Sequence, residues 1–284
     1  MEIDNGALQR LLRLTTRPQI VAGKPQDQVI ATILRFGEDA CSTTSLVRDG
    51  KTSLSRFAVP ATGEGEIPVP DIHRMLGVLK YHGSTVKLSL DSGKLRVKSG
   101  SKQTSLLSDL GGLAFPHSTD TIGEWEQKSS LLAKQVDPVG IYTLRSGEKR
   151  EAFLSWGVNA TELYESLRCD AMNNQKLNRF TFELEIRNND SSLMTTTTGD
   201  GLKGLTSDEW EVDGTNSTEN HPYPNNREGD GFVAIFEGGI DSVLKEMDGL
   251  VTLSFIDFTA EKQGIRLVLD CGGSGWVYQA SVLG

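Results

Sequence analysis

The sequence lacks the long apolar runs of a membrane protein, and its start is not expected to act as a secretion leader. No run approaches the roughly 20 apolar residues that a helix needs to cross a bilayer. The segment from Met1 to Asp4 is acidic where a signal peptide would be basic and then apolar. The cysteines, Cys41, Cys169 and Cys271, are far apart and odd in number, which favours reduced structural thiols. We therefore expect a cytoplasmic protein with no membrane partner.

Recognisable catalytic and cofactor motifs are also missing. The chain has no P-loop, nucleophile elbow, H-E-x-x-H or paired-cysteine metal spacing. Residues 199–204 match G-x-G-x-x-G, but the sequence that follows does not favour a helix, and a phosphate cradle needs a helix N-terminus. None of the histidines has a partner at metal-ligand spacing. We expect no enzyme activity, no cofactor and no metal.

The charge is distributed unevenly along the chain. The formal net charge is -9, which by itself argues against a partner as acidic as a nucleic acid. The first 150 residues nevertheless carry a net charge of +4, and the remaining residues carry -13. A basic surface is therefore expected in the first half of the protein.

One unit, an amphipathic helix followed by two amphipathic strands, occurs near the middle of the chain and again near its end. In both helices the apolar residues recur at i, i+3, i+4 and i+7, which is one face of a helix. They are Ile72, Met75, Leu76 and Leu79 in the first copy, and Ile240, Val243, Leu244 and Met247 in the second. The alternating strands are expected over 85–90 and 94–98, and over 250–255 and 264–269. Each helix can cover one face of its sheet.

A second pair of helices strengthens the duplication. Asn5 is a plausible N-cap for a helix through Thr16, and Asn159 for a helix over 160–171. Each half then reads helix, strands, helix, strands. This order predicts an α+β protein of two similar domains, each with two helices packed on antiparallel sheets.

The helices of the first half place basic residues opposite their apolar faces. Arg10, Arg13 and Arg17 follow the spacing i, i+3, i+7, and Arg74 lies opposite the apolar stripe of the next helix with Lys80 towards its flank. In the second half, Arg168 and Lys245 are the cations of the two predicted helices. Arginines on a solvated helix face are common, but several on one surface suit phosphate oxygens without reading bases.

This arrangement resembles the DNA polymerase sliding clamps, in particular the two-domain trimeric clamps of the proliferating cell nuclear antigen and phage type. Residues 1–16, with a very short strand before the helix, look most like the viral, phage-type clamps. Residues 265–284 look like the closing hairpin of a clamp, with a tyrosine near its end. The resemblance covers most of the chain by pattern and rests on no short motif. It implies a clamp domain over 1–117, an interdomain connector over 118–150 and a second clamp domain over 151–284.

The resemblance also implies partners. Three copies would close a ring around double-stranded DNA through pairing of their edge strands, and a clamp loader and a DNA polymerase would bind the ring. Channel residues would be Arg10, Arg13, Arg17, Arg74, Lys80, Arg168 and Lys245. Clamp partners usually insert a hydrophobic peptide between the connector and the C-terminal tail. The candidate residues there are Leu131, Leu132, Val136, Tyr278, Ala280 and Val282, although each could equally complete a core.

Two other interpretations stay open at this point. A viral structural or assembly protein with a β-rich two-domain fold would show no DNA activity. An enzyme could use acids such as Asp208, Glu209 and Glu211, but it would need a pocket and a paired acid. These acids begin a stretch at about 207–231 that is turn-rich in its latter part, and this stretch is expected to form a long loop.

Overall fold

The computed structural model is built mainly of antiparallel strands with a few helices. It describes residues 1–21, 24–47, 53–108, 132–136, 140–144, 146–173, 179–188, 191–198, 208–213, 232–237, 239–258 and 264–281. The helices are α1 (Asn5–Thr16), α2 (Ile72–Leu79), α3 (Ala160–Asn173) and α4 (Ile240–Leu244). The α+β fold expected from the sequence is confirmed.

The strands of the first half extend to residue 107. They are β1 (Glu2–Asp4), β2 (Pro18–Val21), β3 (Lys24–Asp27), β4 (Thr32–Gly37), β5 (Ala40–Val47), β6 (Ser53–Thr62), β7 (Gly65–Val69), β8 (Thr85–Asp91), β9 (Lys94–Ser99) and β10 (Lys102–Leu107). Hydrogen bonds link them in two runs, β10-β9-β8-β1 and β6-β5-β4-β7, with β1 also paired to one end of β6. The strands β2 and β3 form a separate hairpin.

The strands of the second half repeat this order. They are β11 (Leu132–Val136), β12 (Ile141–Leu144), β13 (Lys149–Glu151), β14 (Leu154–Asn159), β15 (Arg179–Asn188), β16 (Ser191–Thr198), β17 (Asp208–Asp213), β18 (Phe232–Glu237), β19 (Leu250–Phe258), β20 (Gly264–Asp270) and β21 (Gly275–Ala280). The runs β21-β20-β19-β14 and β17-β16-β15-β18 match the two runs of the first half strand for strand. The duplication predicted from helices and hairpins therefore extends to the strand order of both runs, while the β2–β3 hairpin and the β11–β13 sheet stand outside it.

Two details of the sequence-based prediction are wrong. Asp4, not Asn5, caps α1, because its carboxylate accepts a hydrogen bond from the Ala7 backbone at 2.8 Å. The Asn5 side chain instead donates to the carbonyl oxygen of Leu79, which ties α1 to the end of α2. The loop predicted at 207–231 wrongly included Asp208–Asp213, which form strand β17 and pair with β16. Residues 214–231 lie outside the described residues.

The main core lies between the helices and the inner faces of the sheets and runs through both halves. Its members from α1 include Leu8, Leu11 and Leu12, all fully buried, as the periodicity predicts. A second apolar cluster lies on the opposite face of the second-half sheet, where β12 and Ala152 cover it. Alternation along β19 explains the division, because Phe255 belongs to the main core and its neighbour Ile256 to the second cluster.

The two halves are joined by a strand pair that spans the chain. Strand β21, near the end of the chain, pairs antiparallel with β6 of the first half, with Trp276 opposite Arg56 and Val277 opposite Ser55. The guanidinium of Arg56 lies over the Trp276 ring at 5.7 Å. We call this β6–β21 contact the internal seam.

Two buried cysteine thiols make the free energy of unfolding depend on pH in the alkaline range. Burial raises the pKa of Cys41 to about 12 and that of Cys271 to about 12, the latter with help from Asp270. The folded state therefore holds protons that the unfolded chain releases at a lower pH, so stability is full below about pH 8.5 and falls as pH rises towards 12. We expect the free energy of unfolding to drop by about 1 kcal/mol per thiol by pH 9.5. Urea unfolding at pH 7.5 and 9.5 measures this, and Cys41→Ala should reduce the drop; an equal drop in the variant would contradict the assignment.

Candidate nucleic-acid interface

The four helices form a row on the face of the sheets that carries the main core. Helix α1 packs against α2, and α3 packs against α4. Side chains of α1 bond to Glu246 in the turn after α4, which joins the two pairs. The order in space is therefore α2, α1, α4, α3, and the helix surfaces turned away from the sheets form one wall.

Four of the predicted channel cations are exposed on this wall: Arg74, Lys80, Lys245 and Arg13, whose bonding partner is given below. Arg74 and Lys80 are exposed on α2 and just after it, and neither makes an ion pair with any described residue. Lys245 is exposed at the end of α4. The Asp71 carboxylate accepts a hydrogen bond from the Arg74 backbone at 2.8 Å and so fixes the start of α2. The wall thus presents cations from both halves of the chain to one side.

Arg10 and Arg13 are not simply solvated on the outer face of α1, because both side chains bond to the second half of the chain. The Nε atom of Arg10 donates to the backbone oxygen of Glu246 at 2.8 Å, and the Nε atom of Arg13 donates to the Glu246 carboxylate at 2.9 Å. Arg10 thereby satisfies a carbonyl at the end of α4, where a cation is favoured. Both side chains keep part of their surface open, so their contact with DNA stays a prediction, but they already hold the two halves together.

The prediction that Arg17 faces a channel is wrong. Arg17 follows the last residue of α1 in a left-handed conformation with φ 45°, so the helical wheel no longer describes its direction. Its side chain is 1% exposed and donates to the Ser53 hydroxyl at 2.6 Å. Burial lowers the pKa of Arg17 to about 10, and the nearby charge of Asp241 opposes this shift.

Asp241 is the charge partner of Arg17 from the other half of the chain. Burial raises its pKa, while backbone hydrogen bonds and the charges of Arg17 and Lys245 lower it. The Nε atom of Arg17 and the Oδ1 atom of Asp241 are buried without a hydrogen-bond partner. Gly239, just before α4, lies so close that an added Cβ would be 3.2 Å from the Cβ of Arg17. The start of α4 therefore packs against Arg17 at the end of α1, and the charge of Asp241 acts on Arg17 there.

Arg168 belongs to α3, but its side chain lies outside the described part of the structure. Its place in the channel remains a prediction.

The predicted peptide-binding residues do not form an exposed site where they are described. Tyr278 is 1% exposed in the second apolar cluster, and Ala280 is also buried. Leu132 and Val136 form the ends of β11, with side chains outside the described set, and Leu131 and Val282 are not described. The core alternative is therefore correct for Tyr278 and Ala280, because alternation along β21 directs Tyr278 to the face that β12 covers.

The cover over Tyr278 was missed by sequence reasoning. Strands β11, β12 and β13 form a three-stranded sheet that lies within the predicted connector except for Glu151. Tyr142 of β12 is fully buried, and its hydroxyl donates to Ser254 at 2.7 Å. The alternation of Tyr142 and Leu144 was an available signal for this strand, but its four residues are too few to indicate a partner.

No protein-family model matches the sequence, and no curated protein matches it. Solved structures match it closely in shape. A DNA polymerase III subunit beta sliding clamp from Bartonella birtlesii has a TM-score of 0.57 at 13% identity, and the same subunit from Pseudomonas aeruginosa has 0.57 at 16%. Each match covers 100% of this chain and 65% of the other, so the chain spans about two thirds of the length of these subunits.

A second kind of clamp matches over nearly its whole length. PCNA of A. fulgidus, in a structure with the C-terminal region of FEN-1 bound, has a TM-score of 0.57 at 13% identity. This match covers 100% of the present chain and 98% of that chain. The repeated strand order, the row of helices and these matches agree, and the chain has the fold of the DNA sliding clamps.

Proposed function

We propose that this chain is a non-enzymatic sliding clamp, which encircles duplex DNA as a homotrimer and tethers the replicative DNA polymerase to it. The observation that supports this most is the helix wall of a clamp fold with Arg74, Lys80 and Lys245 exposed on it. Cations on such a wall attract phosphates without reading sequence, and contacts of that kind permit sliding. Tethering raises processivity because it keeps the polymerase at a high local concentration.

Topology separates a clamp from an ordinary DNA-binding protein. We expect the protein, with its loader, to remain on a nicked circular duplex at a salt concentration that removes it from the same DNA after linearisation. Polymerase stimulation should follow the same pattern. Equal retention on circular and linear DNA would contradict encirclement, and no retention on either would favour the structural-protein alternative.

The channel cations can be tested by the salt dependence of DNA binding. We expect the pair Arg74→Ala and Lys80→Ala to lower the slope of log K against log salt by about 1 per lost phosphate contact, because each contact releases a counterion. The control pair Lys87→Ala and Lys94→Ala removes two exposed cations from strands β8 and β9 of the same half. An equal change of slope in both pairs would contradict the assignment of the helix wall as the DNA side.

A further inference from the structure

One face of the first-half sheet is open where the matching face of the second half is covered. Positions in the two halves can be matched at Asp4 and Asn159, because each side chain accepts a hydrogen bond from the backbone of the helix that follows it. Each of the two also pairs with the first residue of the next strand, β8 or β19. Counting along the paired strands then matches one outward row, Ser89, Arg96 and Ser105, with another, Ser254, Val268 and Tyr278.

The row in the second half holds an extended strand. Ser254 is fully buried on the outer face, where the Tyr142 hydroxyl of β12 donates to it at 2.7 Å. Val268 and Tyr278 pack beside it in the second apolar cluster, together with Leu144 of β12. An extended segment laid on the outer face is therefore already part of this fold.

The same row in the first half is exposed. Ser89, Arg96 and Ser105 all have open side chains. Beside them lies a groove of about 530 Å³. It follows a row of residues paired across five strands, β6, β1, β8, β9 and β10: Thr62, Glu2, Lys87, Lys98 and Gln103. Neighbouring strands lie about 4.8 Å apart, so the row is about 19 Å long, the length of an extended peptide of about six residues.

The groove and its margin are positively charged. Lys87 and Lys98 lie directly opposite each other, an arrangement of like charges that destabilises a strand pair. Glu2 pairs with Lys87 at 3.2 Å, but both residues stay exposed, and Lys98 makes no ion pair with a described residue. Arg96 lies on the same face of β9, two residues before Lys98, and pairs with Asp91. A carboxylate placed between the two lysines would remove their repulsion.

We infer that this groove is a docking site for an extended acidic peptide of a protein partner, with the carboxylates of the peptide over Lys87, Arg96 and Lys98. The covered row of the second half shows that the outer face can hold an extended segment, and the cations of the first half select an acidic one. The site requires neither DNA nor assembly, so it goes beyond the proposed function.

A nucleic acid fits the groove less well than a peptide does. Of the described residues that line the groove, none is aromatic, so unpaired bases would have no surface on which to stack. Glu2 lies in the row on the β6 side of Lys87, where it would repel a phosphate. A peptide can place its carboxylates over β8 and β9 and an uncharged residue beside Glu2.

Fluorescence anisotropy of a labelled peptide, titrated with the full chain, tests the site. The probe is a peptide of about eight residues, long enough to span the row, with glutamate at alternate positions. Its control has glutamine in place of each glutamate. We expect saturable binding of the glutamate peptide alone at about 0.1 M NaCl and its loss at about 1 M, because the screening length falls from about 10 Å to about 3 Å. Equal binding of the two peptides, or saturable binding of neither, would overturn the inference.

The variant Lys98→Glu locates the binding in the groove. Its affinity for the glutamate peptide should fall about tenfold, because an attraction in the site becomes a repulsion between like charges. The free energy of unfolding should not fall, because Lys98→Glu gives Lys87 an opposite charge across the strand pair. A peptide with lysine in place of glutamate should bind the variant more tightly than it binds the parent protein. The matched control Lys149→Glu reverses an exposed lysine on β13 and should leave the affinity unchanged.

Two further results would contradict the peptide site. Equal losses of affinity in Lys98→Glu and Lys149→Glu would show that the peptide responds only to net charge. Displacement of the peptide by linear duplex DNA from the variant with Arg74→Ala and Lys80→Ala would show that the groove accepts phosphates instead. Retention on circular DNA stays a separate measurement, because Lys98 lies on the sheet face and not on the helix wall.

Discussion

Replacing Gly275 by alanine is expected to destabilise the fold severely. Gly275 begins β21 with φ 129°, a conformation that other residues rarely adopt. A Cβ there would lie 2.1 Å from the backbone oxygen of Arg56 and 2.7 Å from the Cα of Phe57. Both contacts are with backbone, so no side-chain rotation relieves them. The alanine can be accommodated only if β21 moves away from β6, which opens the internal seam and exposes Val277 of the main core.

The expected loss is more than about 4 kcal/mol, at the upper end of single-substitution effects. Urea unfolding followed by tryptophan fluorescence measures it, since Trp276 sits in the seam. Gly273→Ala is the matched control, because it lies in the same turn and an added Cβ meets nothing within 4 Å. We expect the free energy of unfolding of Gly273→Ala to differ from that of the parent protein by less than about 0.5 kcal/mol. A Gly275→Ala protein as stable as Gly273→Ala would show that the seam does not require this close approach.

The sequence predicted what depends on local pattern. Strands β8, β9, β19 and β20 follow the expected ranges within a few residues. Apolar and polar residues alternate along β8 and β9, whereas β19 and β20 are apolar enough to be buried on both faces. The apolar residues Ile240, Val243 and Leu244 are buried as predicted, although the helix that carries them has only five residues. The residues before it, Phe232–Glu237, form strand β18. Periodicity therefore identified the core faces better than the element boundaries.

What the sequence did not predict depends on contacts between distant residues. The internal seam joins residues more than 200 positions apart, and no local pattern in β21 indicates that β6 is its pairing partner. For Arg10 and Arg13 the wheel correctly gives the side of the helix, but their partner Glu246 comes from the other half of the chain. The sequence left a core role and a peptide-binding role for Tyr278 equally open, because its cover, Tyr142, lies in the segment predicted to be the connector.

Arg17 shows how one backbone angle can reverse an interpretation. The spacing of three arginines implied a common face, yet that spacing applies only while the chain is helical. Helix α1 ends at Thr16, and the left-handed conformation of Arg17 sends its side chain inward to Ser53, where the charge of Asp241 acts on it. This single departure changes the expected consequence of mutating the residue from weaker DNA binding to lower stability.

Arg17→Ala is therefore expected to destabilise the protein by about 2–3 kcal/mol, because it removes a fully buried side chain, its hydrogen bond to Ser53 and the positive charge that acts on Asp241. Asp241 would keep its burial but lose the positive charge that lowers its pKa. Arg13→Ala, a control one turn earlier in α1, removes only a surface ion pair with a 45% exposed side chain and should cost about 0–1 kcal/mol. Urea unfolding of both variants makes the comparison, and equal losses would contradict a buried role for Arg17.

The pH dependence of the stability loss in Arg17→Ala tests whether the charge of Asp241 causes it. With Arg17 removed, the folded-state pKa of Asp241 rises further above its unfolded value of about 3.9, because burial acts without the opposing cation. A raised folded pKa gives stability that is present at low pH and lost as pH rises through the interval between the two values. Arg17→Ala should therefore be closer to the parent protein at pH 4.5 than at pH 7.5, and adding Asp241→Asn should recover part of the loss at pH 7.5. A loss that is the same at both pH values would mean that Arg17 acts through packing around Ser53 and Gly239 and not through its charge.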